Sequence, residues 1–311
     1  MKAITQAFLL ATGLLALCGA FAIPPEATYV GEKTCIKCHD VEAKHFSHTV
    51  HAKAFRLNPR NPHEARGCEA CHGPGSLHAQ RGSEKVREYL RGFTREWGTP
   101  VEEQNEACMA CHKGGQRVHW MGSIHDNNKV ACSDCHNAMG RFSAQGLLRT
   151  ASVNETCEAC HGKQRAEFRR RSHMPVPEGK MSCIDCHSPH GSPTRPLLRA
   201  DSVNETCYPC HAEKRGPLLW EHAPVRENCM NCHQAHGSNH DKLLVAARPY
   251  LCQQCHTSPS LHAGQSFRGD QTAGAALSGG SQSPRMIGRS CQNCHSQVHG
   301  SNHPSGARFQ R

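Results

Sequence analysis

The sequence predicts an elongated protein of loops and short α-helices, with little or no β-sheet, wrapped around a chain of covalently attached groups. The pattern C-x-x-C-H occurs ten times in 311 residues and takes up 20 of the 21 cysteines. The chain is also poor in what a conventional core requires, for aromatics are 5% of the residues and mean hydropathy is −0.63. Setting aside a leader over residues 1–22, about 29 residues accompany each pattern. That is too little chain for an apolar core on the scale of one or two ordinary domains.

Numbered in chain order, motif 1 is Cys35, Cys38 and His39, and motif 2 is Cys68, Cys71 and His72. Motif 3 is Cys108, Cys111 and His112, motif 4 is Cys132, Cys135 and His136, and motif 5 is Cys157, Cys160 and His161. Motif 6 is Cys183, Cys186 and His187, motif 7 is Cys207, Cys210 and His211, and motif 8 is Cys229, Cys232 and His233. Motif 9 is Cys252, Cys255 and His256, and motif 10 is Cys291, Cys294 and His295. This is the attachment signature of c-type haem: two thiols add to the vinyl groups and the histidine ligates iron from one face. A zinc site needs ligands from paired motifs and no regular trailing histidine, and a disulfide scaffold has no use for a histidine after every second cysteine. The sequence therefore predicts a multihaem cytochrome c with ten covalent haems.

The spacing suits a helical turn, in which positions i, i+3 and i+4 share a face. Ser152-Val153-Asn154-Glu155 ahead of Cys157, and Ser202-Val203-Asn204-Glu205 ahead of Cys207, match S-x-x-E capping boxes that start such a turn.

Residues 1–22 read as a secretory signal, with Lys2, an apolar run and an Ala20-Phe21-Ala22 cleavage site. Bulky Leu17 argues against a lipoprotein site at Cys18. Attachment of c-type haem outside the cytoplasm agrees with export, and the expected location is the periplasm. The formal charge of +10 suggests anionic partners at first sight. Each ferric haem with two ionised propionates contributes roughly −1, so ten offset the excess, and no nucleic-acid motif is present. The insert over 79–107 carries Arg81, Lys85, Arg87, Arg91 and Arg95 among Glu84, Glu88 and Glu96, and is expected to form a solvated helix with a turn near Gly98. The insert over 263–289 is rich in Gly, Ser and Gln and is expected to be a flexible surface loop.

An internal repeat runs through the middle of the chain. His125, His173 and His222 each precede a motif, and a short tail, a leucine pair and a second motif follow. The leucine pairs are Leu147-Leu148, Leu197-Leu198 and Leu243-Leu244, and the tails place Met139, His190 and His236 at one position. Of 25 histidines, ten belong to motifs, and the surplus implies iron closed by a second imidazole. Repeat position selects His125, His173, His190, His222 and His236 as distal ligands. His78 and His262 share a Ser-Leu-His-Ala setting, His299 follows the last motif and His51 follows the first, which makes nine. Met139, standing where the repeat has histidine, is expected to be the tenth axial ligand. His119 and other spare histidines are the alternative.

The ten motifs, the segment Ser202–Gly216 and the tail Arg289–Gly306 resemble the MtrA/MtoA/PioA family of periplasmic decahaem cytochromes, over essentially the whole chain after the leader. The resemblance implies two pentahaem modules in series, 23–170 and 171–311, forming a haem wire that inserts into an outer-membrane β-barrel porin. It also implies distal ligands at His51, His78, His125, His173, His190, His222, His236, His262 and His299, with Met139 as a departure. The function it implies is an electron conduit, not an enzyme. Such a conduit links periplasmic or inner-membrane-anchored cytochromes with the cell exterior, with an outer-surface multihaem cytochrome as a further partner. A free periplasmic shuttle feeding a terminal reductase for dimethyl sulfoxide or nitrite is the rival reading, and a multihaem oxyanion reductase a second.

Overall fold

The computed structural model describes residues 23–82, 86–256, 290–304 and 306–309. The expected signal segment 1–22, His262 and the insert 263–289 lie outside the described residues. The longest described helix, Val101–Met109, has nine residues. β1 (Ser172–His173) and β2 (Gly237–Ser238) form a two-stranded antiparallel sheet, with Ser172 opposite Ser238 and His173 opposite Gly237. The expected fold class is thus what the chain adopts: loops and short helices with a minimal sheet. No described helix is long and apolar enough to cross a membrane.

The chain divides into two compact units. Residues up to Arg117 together with Ile124–Ala151 make the first, and Val118–Ser123 together with Ser152–Arg311 make the second. Motifs 1–4 fall in the first unit and motifs 5–10 in the second.

Apolar burial in both units is thin and scattered. Buried hydrophobic residues are isolated ones such as Phe46, Tyr89, Trp120, Phe168, Leu198 and Leu244, and buried polar ones such as Glu64, Glu69, Gln104, Asn105, Glu167 and Asn204 are as prominent. A buried polar group must be hydrogen-bonded, so these residues show what organises the fold. Asn204 is the clearest. Its Nδ2 donates to the carbonyls of Val225 (2.9 Å) and Arg226 (3.0 Å), while its Oδ1 accepts from the backbone N–H of Cys229 (2.8 Å). Asn154 does the same with Met181 O (3.1 Å) and Cys183 N (3.0 Å), and Asn105 with Val130 O (3.1 Å) and Cys132 N (2.8 Å). Each asparagine stands three residues before the first cysteine of an odd-numbered motif and grips the first cysteine of the next, even-numbered one. The two outer pairs are joined by other means. The buried Glu69 carboxylate of motif 2 accepts from the amides of Val30, Gly31 and Gly75 at 2.8–3.2 Å, and Arg248 ahead of motif 9 bonds Gln292 of motif 10.

The insert at 79–107 corrects the expectation of a single solvated helix. It is broken into Ser76–Arg81, Val86–Tyr89 and Arg95–Trp97, with Gly98 turning at φ 89° before Val101–Met109. It is anchored, not solvated: Tyr89 and Thr99 are buried, Trp97 packs on Gly92, and Arg91 clasps motif 2. The Arg91 amide donates to His72 O (2.9 Å), and its Nη1 donates to Cys71 O (2.9 Å). The charge pattern marked the exposed side of this insert and hid its anchors.

The Ser caps form as expected, with Ser152 and Ser202 each accepting from the amide three residues on (3.1 Å). The reciprocal glutamate half gives way to another contact at Glu205, which pairs with Arg215 (3.3 Å). Asn204→Ala leaves one amide and two carbonyls without their buried partner, each worth about 1–3 kcal/mol. Guanidinium unfolding of the haem-loaded protein should show a loss of about 2 kcal/mol or more, and Asn204→Asp, which keeps the acceptor, a smaller loss. An unchanged midpoint in Asn204→Ala removes the clamp from the account.

Candidate functional site

Every motif closes one helical turn. The amide of the motif histidine donates to the carbonyl of the first cysteine in all ten, at 2.8–3.1 Å. This is the i, i+4 arrangement the spacing predicts, and it puts two thiols and one imidazole on one side of a turn. The turns are built in two ways. Odd-numbered motifs end a preceding helix, as Val153–Glu158 and Val203–Cys207 do. Their histidines His39, His161 and His211 then take the N-cap position of the next short helix. Even-numbered motifs are themselves the helical turn, as at Cys132–Cys135 and Cys183–Cys186, and their histidines are extended at ψ near 143° and 147°.

The even-numbered histidines share a fixed orientation. The Nδ1–H of His72 donates to Arg91 O (2.8 Å) and that of His136 to Gly146 O (2.6 Å). His187 donates likewise to Pro196 O (2.9 Å), His233 to Lys242 O (2.9 Å) and His295 to Arg308 O (2.5 Å). A carbonyl acceptor fixes the proton on Nδ1 and leaves the Nε2 lone pair for a metal, and it makes the ring more basic. In the repeat these carbonyls belong to Gly146, Pro196 and Lys242, each the residue just before a leucine pair. Leu147, Leu197 and Leu243 sit at positive φ (49°, 59° and 58°), a strained conformation for a bulky side chain. Their carbonyls accept from the residue after each motif histidine (2.6–2.7 Å). The second leucine of each pair bridges the histidine backbone, as in His136 with Leu148, His187 with Leu198 and His233 with Leu244. The sequence displays the leucine pairs but gives no hint of this strap, because backbone carbonyls leave no mark in residue types.

Histidines distant in sequence meet in pairs. Ring centroids lie 6.0 Å apart for His39 and His78, 5.8 Å for His51 and His112, 6.2 Å for His187 and His236, 6.3 Å for His222 and His256, and 6.1 Å for His233 and His299. A metal–imidazole bond is about 2.0–2.1 Å. Two such bonds in line, with the further ~1 Å from each nitrogen to its ring centre, put centroids about 6 Å apart. All five pairs match that span, and each joins one motif histidine to one expected distal histidine. The residues thus fit a haem iron held between two imidazoles. Burial lowers the pKa of His51, His72, His112, His236 and His299 and keeps these rings in the neutral form that ligates.

The remaining expected ligands are placed as follows. His125 lies on the turn Ile124–Asn127. The His190 ring packs 6.4 Å from Trp120. His173 bonds Glu178 through Nε2 (3.0 Å), which raises its pKa. Met139 is partly exposed and lines a cavity of about 230 Å³ with Val41, Glu42, His45, Asn137, Gly140 and Phe142.

Neighbouring motifs are linked at two kinds of boundary. Across the asparagine, Glu69 and Arg248 ties, the leading thiols of motifs 1 and 2, 3 and 4, 5 and 6, 7 and 8, and 9 and 10 interact. The hydrogen bond between them lowers one partner, as in Cys35, Cys132, Cys183 and Cys252 (to about 6), and raises Cys68, Cys108 and Cys291. Cys207 is pushed up to about 12, by burial first and then by Cys229. Across the alternate boundaries the second thiol of an even-numbered motif feels the next motif: Cys71 feels Cys111, Cys186 feels Cys210, and Cys232 feels Cys252 and Cys255. Within each unit the attachment turns therefore follow one another without a break.

Comparison with known proteins agrees with this geometry. The doubled CXXCH motif family matches residues 125–166, 173–216 and 222–260, segments that start at His125, His173 and His222, where the sequence repeat starts. A cytochrome c-type protein NrfB-like family matches 68–142. The multiheme cytochrome MtrA of Shewanella baltica is 43% identical over 281 residues, covering 90% of this chain and 81% of that protein. The cytochrome c-type protein NrfB of Haemophilus influenzae is 26% identical, over 42% of this chain and 64% of that protein. Cytochrome c-554 of Nitrosomonas europaea is 26% identical, over 52% of this chain and 69% of that protein.

An iron closed by two imidazoles does not bind carbon monoxide until one imidazole leaves. His236→Ala removes the partner facing His187, so the reduced protein should bind about one equivalent of carbon monoxide where the parent binds none. Optical titration at constant haem content reads this directly, and no gain in binding breaks the His187–His236 pairing.

Proposed function

The chain belongs to the family of multihaem cytochromes typified by MtrA, and from that premise we propose that it is a decahaem conduit carrying electrons between periplasmic carriers and the cell exterior. The haem supplies one-electron chemistry at each motif; the protein fixes ligands, spacing and access. The observation that carries this reading is the set of five imidazole pairs at 5.8–6.3 Å. A site closed on both faces suits outer-sphere electron transfer and offers a substrate no coordination position. Distal ligands are assigned as His78 for motif 1, His51 for motif 3, His236 for motif 6, His299 for motif 8 and His222 for motif 9. His173 has the same place ahead of its motif as His222, and serves motif 7 once Glu178 releases it. His262, alike in sequence to His78, serves motif 10, and His125 and His190 complete the histidine set. The haems fall five to each module, 23–170 and 171–311.

The hydrocarbon layer is about 30 Å thick, and the described helices are too short to cross it. The proposal therefore assigns the crossing to a partner, an outer-membrane β-barrel porin that sheathes the conduit, since a closed barrel leaves no unpaired backbone in lipid. Electrons pass to or from periplasmic or inner-membrane-anchored cytochromes on one side. On the other they serve extracellular metal reduction or Fe(II) oxidation, with or without an outer-surface cytochrome. The NrfB-like match over 68–142 favours one alternative, a free periplasmic shuttle to a terminal reductase. Liposomes loaded with a reduced viologen dye and carrying this protein with its porin should discharge electrons to external ferric citrate. Liposomes lacking either component should not. A porin that neither retains the cytochrome nor supports discharge favours the shuttle.

A further inference from the structure

We propose that Glu167 lowers the potential of the haem on Cys183 and Cys186, by holding a buried carboxylate against the distal imidazole of His236. The proposal rests on the pairing of His236 with His187 given above, and it adds what governs the iron they would share.

Glu167 ends the helix Gly162–Glu167 and is 5% exposed. Its two oxygens have separate tasks. Oε1 accepts from Gln234 Nε2 (3.4 Å) and lies 3.9 Å from Arg170 Nη2, while Oε2 stands 3.3 Å from His236 Nδ1. Arg170 supplies the counter-charge that a buried carboxylate requires. Its Nη1 also donates to Gly237 O (3.0 Å), and the Phe168 ring meets His236 at 5.3 Å. Residues 167–170 thus hold the tail 234–237 around the ligand. With Nδ1 turned to Glu167, Nε2 is the nitrogen left to face His187, whose ring lies 6.2 Å away.

The other imidazoles have neutral or exposed partners at Nδ1. His187 itself donates to Pro196 O, and the distal His222 donates to Val298 O (2.9 Å). His39 and His211 do face carboxylates, Glu42 at 3.7 Å and Glu213 at 3.8 Å, beyond hydrogen-bond reach. Those side chains are 52–60% exposed, where water screens the charge. Glu178 bonds His173 at Nε2, the nitrogen an iron would need. Glu167 alone among these carboxylates combines burial, close approach and the ring nitrogen that faces away from iron.

The repeat shows the frame that presents it. A Cβ on Gly191 would fall 2.0 Å from His119 O, one on Gly237 1.9 Å from Glu167 O, and one on Gly300 3.0 Å from Trp220 O. Each glycine follows an expected distal histidine, so His119, Glu167 and Trp220 hold one backbone place beside three ligands. The close approach needs glycine, but the side chain beside it is free to differ. Trp220 turns its indole N–H to His303 O (2.9 Å), whereas Glu167 turns a carboxylate to the ligand.

A charged acceptor makes a stronger hydrogen bond than a carbonyl, and burial keeps its charge from being screened. It draws on the Nδ1 proton and leaves Nε2 more basic. A more basic ligand favours ferric over ferrous iron, so the potential falls. The haem on motif 6 is then a step that electrons cross but do not rest on.

Redox potentiometry of the haem-loaded protein, with electron paramagnetic resonance of its ferric state, tests this. Glu167→Gln keeps the shape and removes the charge. One one-electron step should move to higher potential by about tenfold in its reduction equilibrium, or about 59 mV, and one low-spin ferric signal should shift with it. Glu42→Gln and Glu213→Gln should titrate as the parent does, and an equal shift in either overturns the assignment to Glu167. Should Glu167→Gln lose haem, Glu167→Asp reports in its place, because it withdraws the charge by one methylene and must still raise the step. Carbon monoxide titration of His236→Ala tests the pairing separately. If that variant binds carbon monoxide while the Glu167 variants titrate as the parent at full haem count, the pairing stands and the role of Glu167 is overturned. If it binds none, the pairing fails and the proposal with it.

Discussion

Everything in this chain depends on a turn of five residues closed by one hydrogen bond, from the histidine amide to the carbonyl of the first cysteine. A single helical turn is a poor structure alone, because nucleation fixes several dihedral angles for one hydrogen bond. At motifs 4, 6 and 8 it is braced at both ends. At the start, Asn105, Asn154 or Asn204 grips the first cysteine of the next turn. At the finish, the strap returns a carbonyl to the histidine Nδ1–H and closes the ring's last free rotation. The positive φ at Leu147, Leu197 and Leu243 is the conformational cost of placing that carbonyl.

The scarcity of apolar burial has the same origin. With about 29 residues per motif, a side-chain core has no room to form, and large hydrophobic residues such as Ile184 and Met230 lie inside the motifs, at 39% and 38% exposure. Porphyrin faces are the apolar surface such side chains can cover, and each covalent haem brings its own. Protein–protein packing is then left to polar ties, which are directional and set spacing better than they supply stability. For a conduit that is a reasonable division, because transfer between carriers depends on their separation and only secondarily on the stability of the chain around them.

The attachment turns, the Ser caps and the repeat were legible in the sequence, because each depends on residue type at fixed short spacing. What escaped was long-range or carried by the backbone. Asn154 and Asn204 stood within the capping tetrapeptides and passed as filler, although their side chains reach 21 to 29 residues ahead. The insert over 79–107 looked solvated because its charges are evenly spread, while Tyr89, Arg91 and Thr99 did the anchoring. Which histidines face one another could not be read from the repeat, since His236 and His299 meet motif histidines two places back, His78 meets one a single place back and His51 meets one two places ahead.

The two kinds of boundary explain how such a chain can grow. The sequence repeat spans motifs 4–5, 6–7 and 8–9, whereas the asparagine ties span 3–4, 5–6 and 7–8. Because the repeated unit and the tied unit are offset by one motif, every copy ends with half of a tie and begins with the other half. An inserted copy is therefore joined at both ends by contacts the chain already makes, and the row lengthens with no new interface. Repeat proteins pay for this regularity at their termini, where a neighbour is missing. Here the ends depart as that logic requires: Glu69 replaces asparagine in the first pair, an arginine–glutamine bond replaces it in the last, and the longest spacings between motifs, 33, 40 and 39 residues, fall next to them.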